Sequence, residues 1–390
     1  MRPWRRLVVV LLVSAATLFA ARAALRPWVR ATSLIVRTAG LEKQHPTLAA
    51  LQTGTVSEGK ETVPSRFGPL RAKVYRPTNG ARQAVLLTPG VNALGIDEPR
   101  LIAFARNLAA SGLLVLTPEL PDLSRYLVTP RSTDMVEDAA LWFARNEALT
   151  GGRPFGIVGI SFAGGLSLVA AGRPSLRGHV AFVFSFGGHA NFQRVVRYLC
   201  TGDAPPPPPG VALPATPPPH DYGVAILALD LAHRMVPPEQ VEALRAGILA
   251  FLHASHVALF DQPRAEQEFA RARAMEEGMP EPARTLLHLV NAREASALGA
   301  RLLPEAAALG DDPALSPDQS AAPDAPVFLL HGNEDNVVPA VETALLADRL
   351  RTRTSVHVIL TPLISHAEVD RPAGTRDVLA LVTFFRTMLG

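Results

Sequence analysis

One cysteine in 390 residues, Cys200, excludes any intramolecular disulfide, and no Cys or His stands beside it at metal-ligand spacing. A small buried hydrophobe is the role expected of it. Lysine is nearly absent as well: Lys43, Lys60 and Lys73 are the exceptions in a basic set that is otherwise arginine. Charged residues make up only 19% against 48% hydrophobic, which excludes a disordered chain over most of the length. The excess of positive charge is not on the body of the protein. Residues 1–43 hold eight Lys or Arg and a single acid, Glu42, and the remainder carries 30 basic against 34 acidic residues. A nucleic-acid footprint needs cations clustered on a folded surface, so that partner class is excluded.

What is present begins with an N-terminal segment of a recognisable layout. Arg2, Arg5 and Arg6 precede Leu7 to Ala21, a run with no charge. That is the pattern of a secretory signal, with Ala21-Arg22-Ala23 able to serve as the cleavage site. As a helix the run spans about 22 Å, short of a hydrocarbon core of about 30 Å. Arg22, Arg26 and Arg30 beyond it suit a retained anchor instead, because arginine can snorkel. Residues 1–30 are therefore read as signal peptide or membrane anchor, with the rest of the chain exported or anchored outside the cytoplasm. Membrane association follows only if the segment is retained.

A helical approach is expected over 31–62, followed by two short strands around the Gly68-Pro69 turn. The pattern then alternates β and α. Gln83–Thr88, Leu113–Thr117, Phe155–Gly159 and Val180–Phe184 read as apolar strands, with helices over Pro99–Ala110, Thr133–Asn146 and Phe162–Ala171 between them. The rhythm returns at Val327–Leu330, Val341–Leu350, Val356–Leu360 and Val378–Leu389. Near-continuous apolar strands imply a parallel sheet covered on both faces. Core is thus assigned to 63–186 and 326–390. Between them, 187–325 holds two Pro-rich patches and only helical periodicity, as in the apolar stripe of Glu239–Phe260, and reads as a linker and helical cap.

Chemistry concentrates in Gly159-Ile160-Ser161-Phe162-Ala163-Gly164, placed where a strand turns into a helix. A serine on so tight a turn leaves no room for side chains two residues to either side, hence Gly159 and the small Ala163. Serine needs a base to take its proton and a third group to orient that base. Asp335, in the loop His331-Gly332-Asn333-Glu334-Asp335-Asn336-Val337-Val338-Pro339, and His366, after the next strand, supply both in the order Ser, Asp, His. Glu334 and Asp311 are the substitute acids, and His331 reads as a structural loop residue. His253 and His256, at i and i+3, have a metal-compatible spacing but no third ligand nearby, so no metal is assigned. The glycines of 159–165 lack the Lys-Ser/Thr ending of a phosphate loop, and no cofactor is expected.

Together, the serine turn, the acid loop and the terminal histidine resemble the α/β-hydrolase superfamily over roughly 63–390, less the cap. The resemblance implies an eight-stranded, mostly parallel sheet with helices on both sides and a cap after the sixth strand. It also implies hydrolysis of an ester, thioester or amide through an acyl-enzyme. An oxyanion hole is then implied from the backbone N–H of Phe162 and of Val91, with Asn92 the alternative to Val91. The expected partner is a small-molecule or lipid-like ester. The expected function is a carboxylic-ester hydrolase. Its rivals are a non-catalytic envelope binding protein of the same fold, and thioesterase, peptidase or haloperoxidase chemistry on the same triad. Oligomeric state is not fixed by these residues.

Overall fold

The computed structural model describes residues 3–51, 54–307, 309–364 and 375–389. Eight strands form one sheet: β1 (Val56–Val63), β2 (Leu70–Pro77), β3 (Gln83–Thr88), β4 (Leu113–Pro118), β5 (Phe155–Ile160), β6 (Val180–Phe186), β7 (Val327–Gly332) and β8 (Val356–Thr361). Their order is β1-β2-β4-β3-β5-β6-β7-β8. Only β2 runs against the others, being antiparallel to both β1 and β4. The pairings from β4 to β8 are all parallel.

The helices are α1 (Pro3–Thr38), α2 (Pro46–Ala50), α3 (Pro99–Ala110), α4 (Pro121–Ser124), α5 (Pro130–Arg145), α6 (Glu147–Thr150), α7 (Phe162–Ala171) and α8 (Phe192–Thr201). They continue with α9 (Asp221–Met235), α10 (Pro238–Ala258), α11 (Gln262–Ala274), α12 (Ala283–Asn291), α13 (Ala295–Ala306), α14 (Ala340–Leu350) and α15 (Thr375–Leu389). Strands β4 and β7 are buried along their whole length, and β3 and β5 all but one residue, because helices cover both faces of the sheet. On one face α1, α3 and α15 pack Leu34, Leu101, Leu108, Phe384 and Phe385 onto Val85, Phe184 and Phe328. On the other, α5, α7 and α14 pack Met135, Phe143, Leu166 and Leu346 onto Leu86 and Ile157. Helices α8–α13 all fall between β6 and β7 and share that second core.

Two sequence expectations differ from the structure. The approach expected to be helical over 31–62 ends in β1, a strand of eight residues whose register runs from Val56 opposite Pro77 to Val63 opposite Leu70. The sequence Val-Ser-Glu-Gly-Lys-Glu-Thr-Val has little apolar content because β1 is an edge strand, half in water. Second, the boundary placed between residues 30 and 31 falls inside one helix. The second half of α1 belongs to the body: Ala31 and Leu34 are buried, Ser33 Oγ donates to the Ala49 carbonyl at 2.8 Å, and Arg386 lies over the Trp28 ring at 4.5 Å. Among the described residues no helix is long and apolar enough to cross a membrane.

Leu34, 1% exposed, measures how firmly α1 is docked. Leu34→Ala is expected to cost about 3 kcal/mol by the usual transfer and cavity terms. A denaturant melt unchanged by the substitution would show that α1 contributes nothing to the body.

Candidate active site

Ser161 follows β5 and stands at the N-cap of α7 with φ 55° and ψ −133°, a backbone that L-residues rarely adopt. Two main-chain bonds hold it there. Its N–H donates to the Phe186 carbonyl at 2.7 Å, and its carbonyl accepts from the Gly164 N–H at 2.8 Å. The first ties the turn to the end of β6. A Cβ on Gly159 would stand 2.7 Å from the Gly164 Cα, so glycine is required where the chain folds back on itself. Gly165 is required for a different reason, since a Cβ there would overlap the His189 ring. Ala163 is fully buried beside them.

The loop after β3 crosses close to the serine. A Cβ on Gly90 would lie 3.5 Å from the Ser161 Cβ and 3.4 Å from the Ile160 carbonyl oxygen. Val91 and Asn92 follow directly, partly buried. Phe162, directly after Ser161, opens α7, and the N-terminal dipole of that ten-residue helix favours negative charge there.

Asp335, 1% exposed, sits in the loop after β7. Its Oδ1 accepts from the N–H groups of Val337 and Val338, both at 2.9 Å. Its Oδ2 lies 3.2 Å from His331 Nε2, which also lies 2.8 Å from the Val338 carbonyl. With two acceptors facing it, Nε2 carries the proton, and Nδ1 accepts from the Thr343 hydroxyl at 2.6 Å. His331, fully buried, is thus a brace for Asp335, in keeping with its structural reading. The loop also borders the β6 end, because a Cβ on Gly187 would be 3.7 Å from Asp335 Oδ2. Of the substitute acids, Glu334 is exposed, and Asp311 is exposed and bonded to Gln193 Nε2 at 2.9 Å. His366 lies outside the described residues.

Glu342 fixes the turn between β6 and α8 that runs beside the site. Its Oε2 accepts from the Ala190 and Asn191 N–H groups at 3.0 and 2.8 Å, and Arg194 pairs with both its oxygens. In the same turn, burial pushes His189 down to about 4, with its Nε2 bonded to the Leu315 carbonyl at 2.7 Å. That histidine is therefore neutral packing between Phe162 and Phe192. Cys200 is buried, and burial raises its thiol to about 11.

Sequence reasoning missed the contacts that the α8–α13 segment makes with both loops. The His220 N–H donates to the Asn336 carbonyl at 2.8 Å, beside the acid. The Tyr126 ring meets the Tyr222 ring of α9 edge-on, with centroids 6.4 Å apart. Tyr126 is held at φ 63°, a second strained residue in this neighbourhood. The spaced histidines do not form a pair: His253 is exposed, whereas His256 Nδ1 meets Asn92 Nδ2 at 3.3 Å. Among the described residues no group of three or more His, Cys, Asp or Glu could hold a metal ion.

Strand order, the single reversed strand and a strained serine between β5 and α7 define the α/β-hydrolase fold. No family model and no curated protein matches the chain. Solved structures similar to it include an esterase of Pyrobaculum calidifontis, 18% identical over 91% of this chain and 93% of that one, with TM-score 0.46. A dienelactone hydrolase from Anabaena variabilis is 16% identical over 85% and 96%, with TM-score 0.42. The acylaminoacyl peptidase of Pyrococcus horikoshii is 12% identical over 88% of this chain and 42% of that one, with TM-score 0.45.

Proposed function

We propose that the chain is a serine hydrolase that cleaves a carboxylic ester through an acyl-enzyme. The observation that carries this reading is Ser161 itself, held at φ 55° against the Gly90 loop by bonds to Phe186 and Gly164. A non-glycine residue kept in that conformation by the fold is a mark of a functional site.

In the reaction, Ser161 Oγ attacks the ester carbonyl carbon while His366 takes the hydroxyl proton. The Phe162 and Val91 N–H groups receive the negative charge that develops on the carbonyl oxygen. His366 then returns its proton to the departing alcohol, leaving the acyl group on Ser161. Water, deprotonated by the same histidine, releases the acid and restores the serine. Asp335, with its carboxylate braced by two backbone N–H groups and His331, orients His366 and balances the imidazolium. The α8–α13 segment acts as a cap in this scheme, shaping an apolar acyl pocket. Its bonds to Asn336 and Asn92 support that role.

Export completes the proposal. The cationic start and uncharged Leu7–Ala21 run support it, and the docking of α1 from Trp28 onward is compatible with processing after Ala23. N-terminal sequencing of the mature protein checks this, and a start at Met1 in every fraction refutes processing. The nucleophile is checked with a fluorophosphonate probe: the adduct is expected on Ser161 alone, and a protein that stays unlabelled, or is labelled at another residue, overturns the reading.

A further inference from the structure

The loop that supplies the second oxyanion donor is pinned on both sides of Val91. On one side Gly90 rests against Ser161. On the other, the Asn92 amide is engaged through both its oxygen and its nitrogen. Its Oδ1 accepts from the Leu94 N–H at 2.8 Å, so its Nδ2 is the group that faces His256 Nδ1 at 3.3 Å. Nδ1 is therefore an acceptor, and the His256 proton sits on Nε2. The Asn92 carbonyl is engaged too, accepting from the Gly95 N–H at 2.9 Å. His256 comes from α10, 164 residues away in the chain, and so from the helical segment between β6 and β7.

We propose that His256 is a positioning residue for the oxyanion hole: by accepting from Asn92 it holds the residue next to Val91, and so the loop that carries the Val91 N–H, and makes the helical segment part of the catalytic apparatus. This rests on the reading of Ser161 as nucleophile. The contact exists only while His256 is neutral, because a proton on Nδ1 would set two donors against each other. Its surroundings keep it neutral. Half-burial acts first in lowering its proton affinity, Glu98 at the head of α3 opposes this, and Arg100 and His253 add to it, while the Phe260 ring covers one side at 5.4 Å. The contact holds at neutral pH and is lost on acidification.

The test is the steady-state hydrolysis of p-nitrophenyl butyrate by the full chain from pH 5 to 9, with His256→Leu, His256→Gln, Asn92→Ala and the His256→Leu/Asn92→Ala double variant. A direct oxyanion donor is worth about 10²–10³ in kcat, and loosening one through its loop is expected to cost about tenfold. His256→Leu should therefore lose about tenfold in kcat with KM little changed, and His256→Gln, which keeps an acceptor without titrating, should regain most of it. The double variant should be no slower than the slower single variant, because both remove one contact. The acid limb of log kcat should be steeper than one proton in wild type and one proton in His256→Gln.

The proposal is overturned if His256→Leu keeps wild-type kcat, if only KM moves, if Gln fails to rescue, or if the two single losses multiply. Should His256→Leu not fold, an acid limb in His256→Gln as steep as wild type overturns it equally. Ser161→Ala with undiminished turnover would instead refute the underlying assignment.

Discussion

Ser161→Ala is expected to lower kcat by about 10⁶ while leaving the protein folded, the size of loss that removal of a triad serine produces in another serine hydrolase. The stability side follows from the local geometry. Ser161 is 7% exposed, and both bonds that hold its turn run from backbone atoms, so alanine keeps them. Alanine has the same Cβ as serine at φ 55° and adds no strain of its own. The residual rate should stay above the uncatalysed one, because the proposed oxyanion donors Phe162 and Val91 remain. An assay with p-nitrophenyl esters at pH 8, beside a thermal melt, separates the two effects. Turnover within tenfold of wild type in a variant that melts normally would place the nucleophile elsewhere.

Much of this site was legible because its constraints are local. Glycine two residues before Ser161 is demanded by the Ala163–Gly164 backbone, and that demand shows in the sequence as a short spaced motif. Strands β3, β4, β5 and β7 were legible for a related reason: strands covered on both faces must be apolar nearly throughout. Strand β1 was not, because its partner β2 and the sheet edge decide its conformation, and its own residues Glu58, Lys60 and Glu61 are polar. The contact between Asn92 and His256 was illegible in principle. Neither residue has a neighbour in sequence that announces it. Asp335 was chosen over Glu334 and Asp311 from the loop motif and chain order, and the structure adds that Asp335 is buried whereas the other two are exposed.

Asp335→Asn tests that choice and should be nearly as severe as loss of the serine, about 10⁴ in kcat, the loss that the same substitution of a triad aspartate produces in a serine protease. Two effects act together. In the proposed mechanism the amide removes the charge that balances the imidazolium of His366. It also mismatches the buried network, since two N–H groups, from Val337 and Val338, require an oxygen at the Oδ1 position. The NH2 group then occupies the Oδ2 position and faces the His331 Nε2–H, donor against donor. Moving the His331 proton to Nδ1 does not help, because Nε2 would then confront the Val338 carbonyl with no proton between them. One buried polar atom is left unpaired in either tautomer, which costs about 1–3 kcal/mol. The variant should therefore melt several degrees below wild type as well as turn over slowly. Glu334→Gln and Asp311→Asn, both at exposed positions, should keep their rates and their melting points. A large kinetic loss in either of these, with Asp335→Asn active, would move the acid out of the β7 loop position assigned to it.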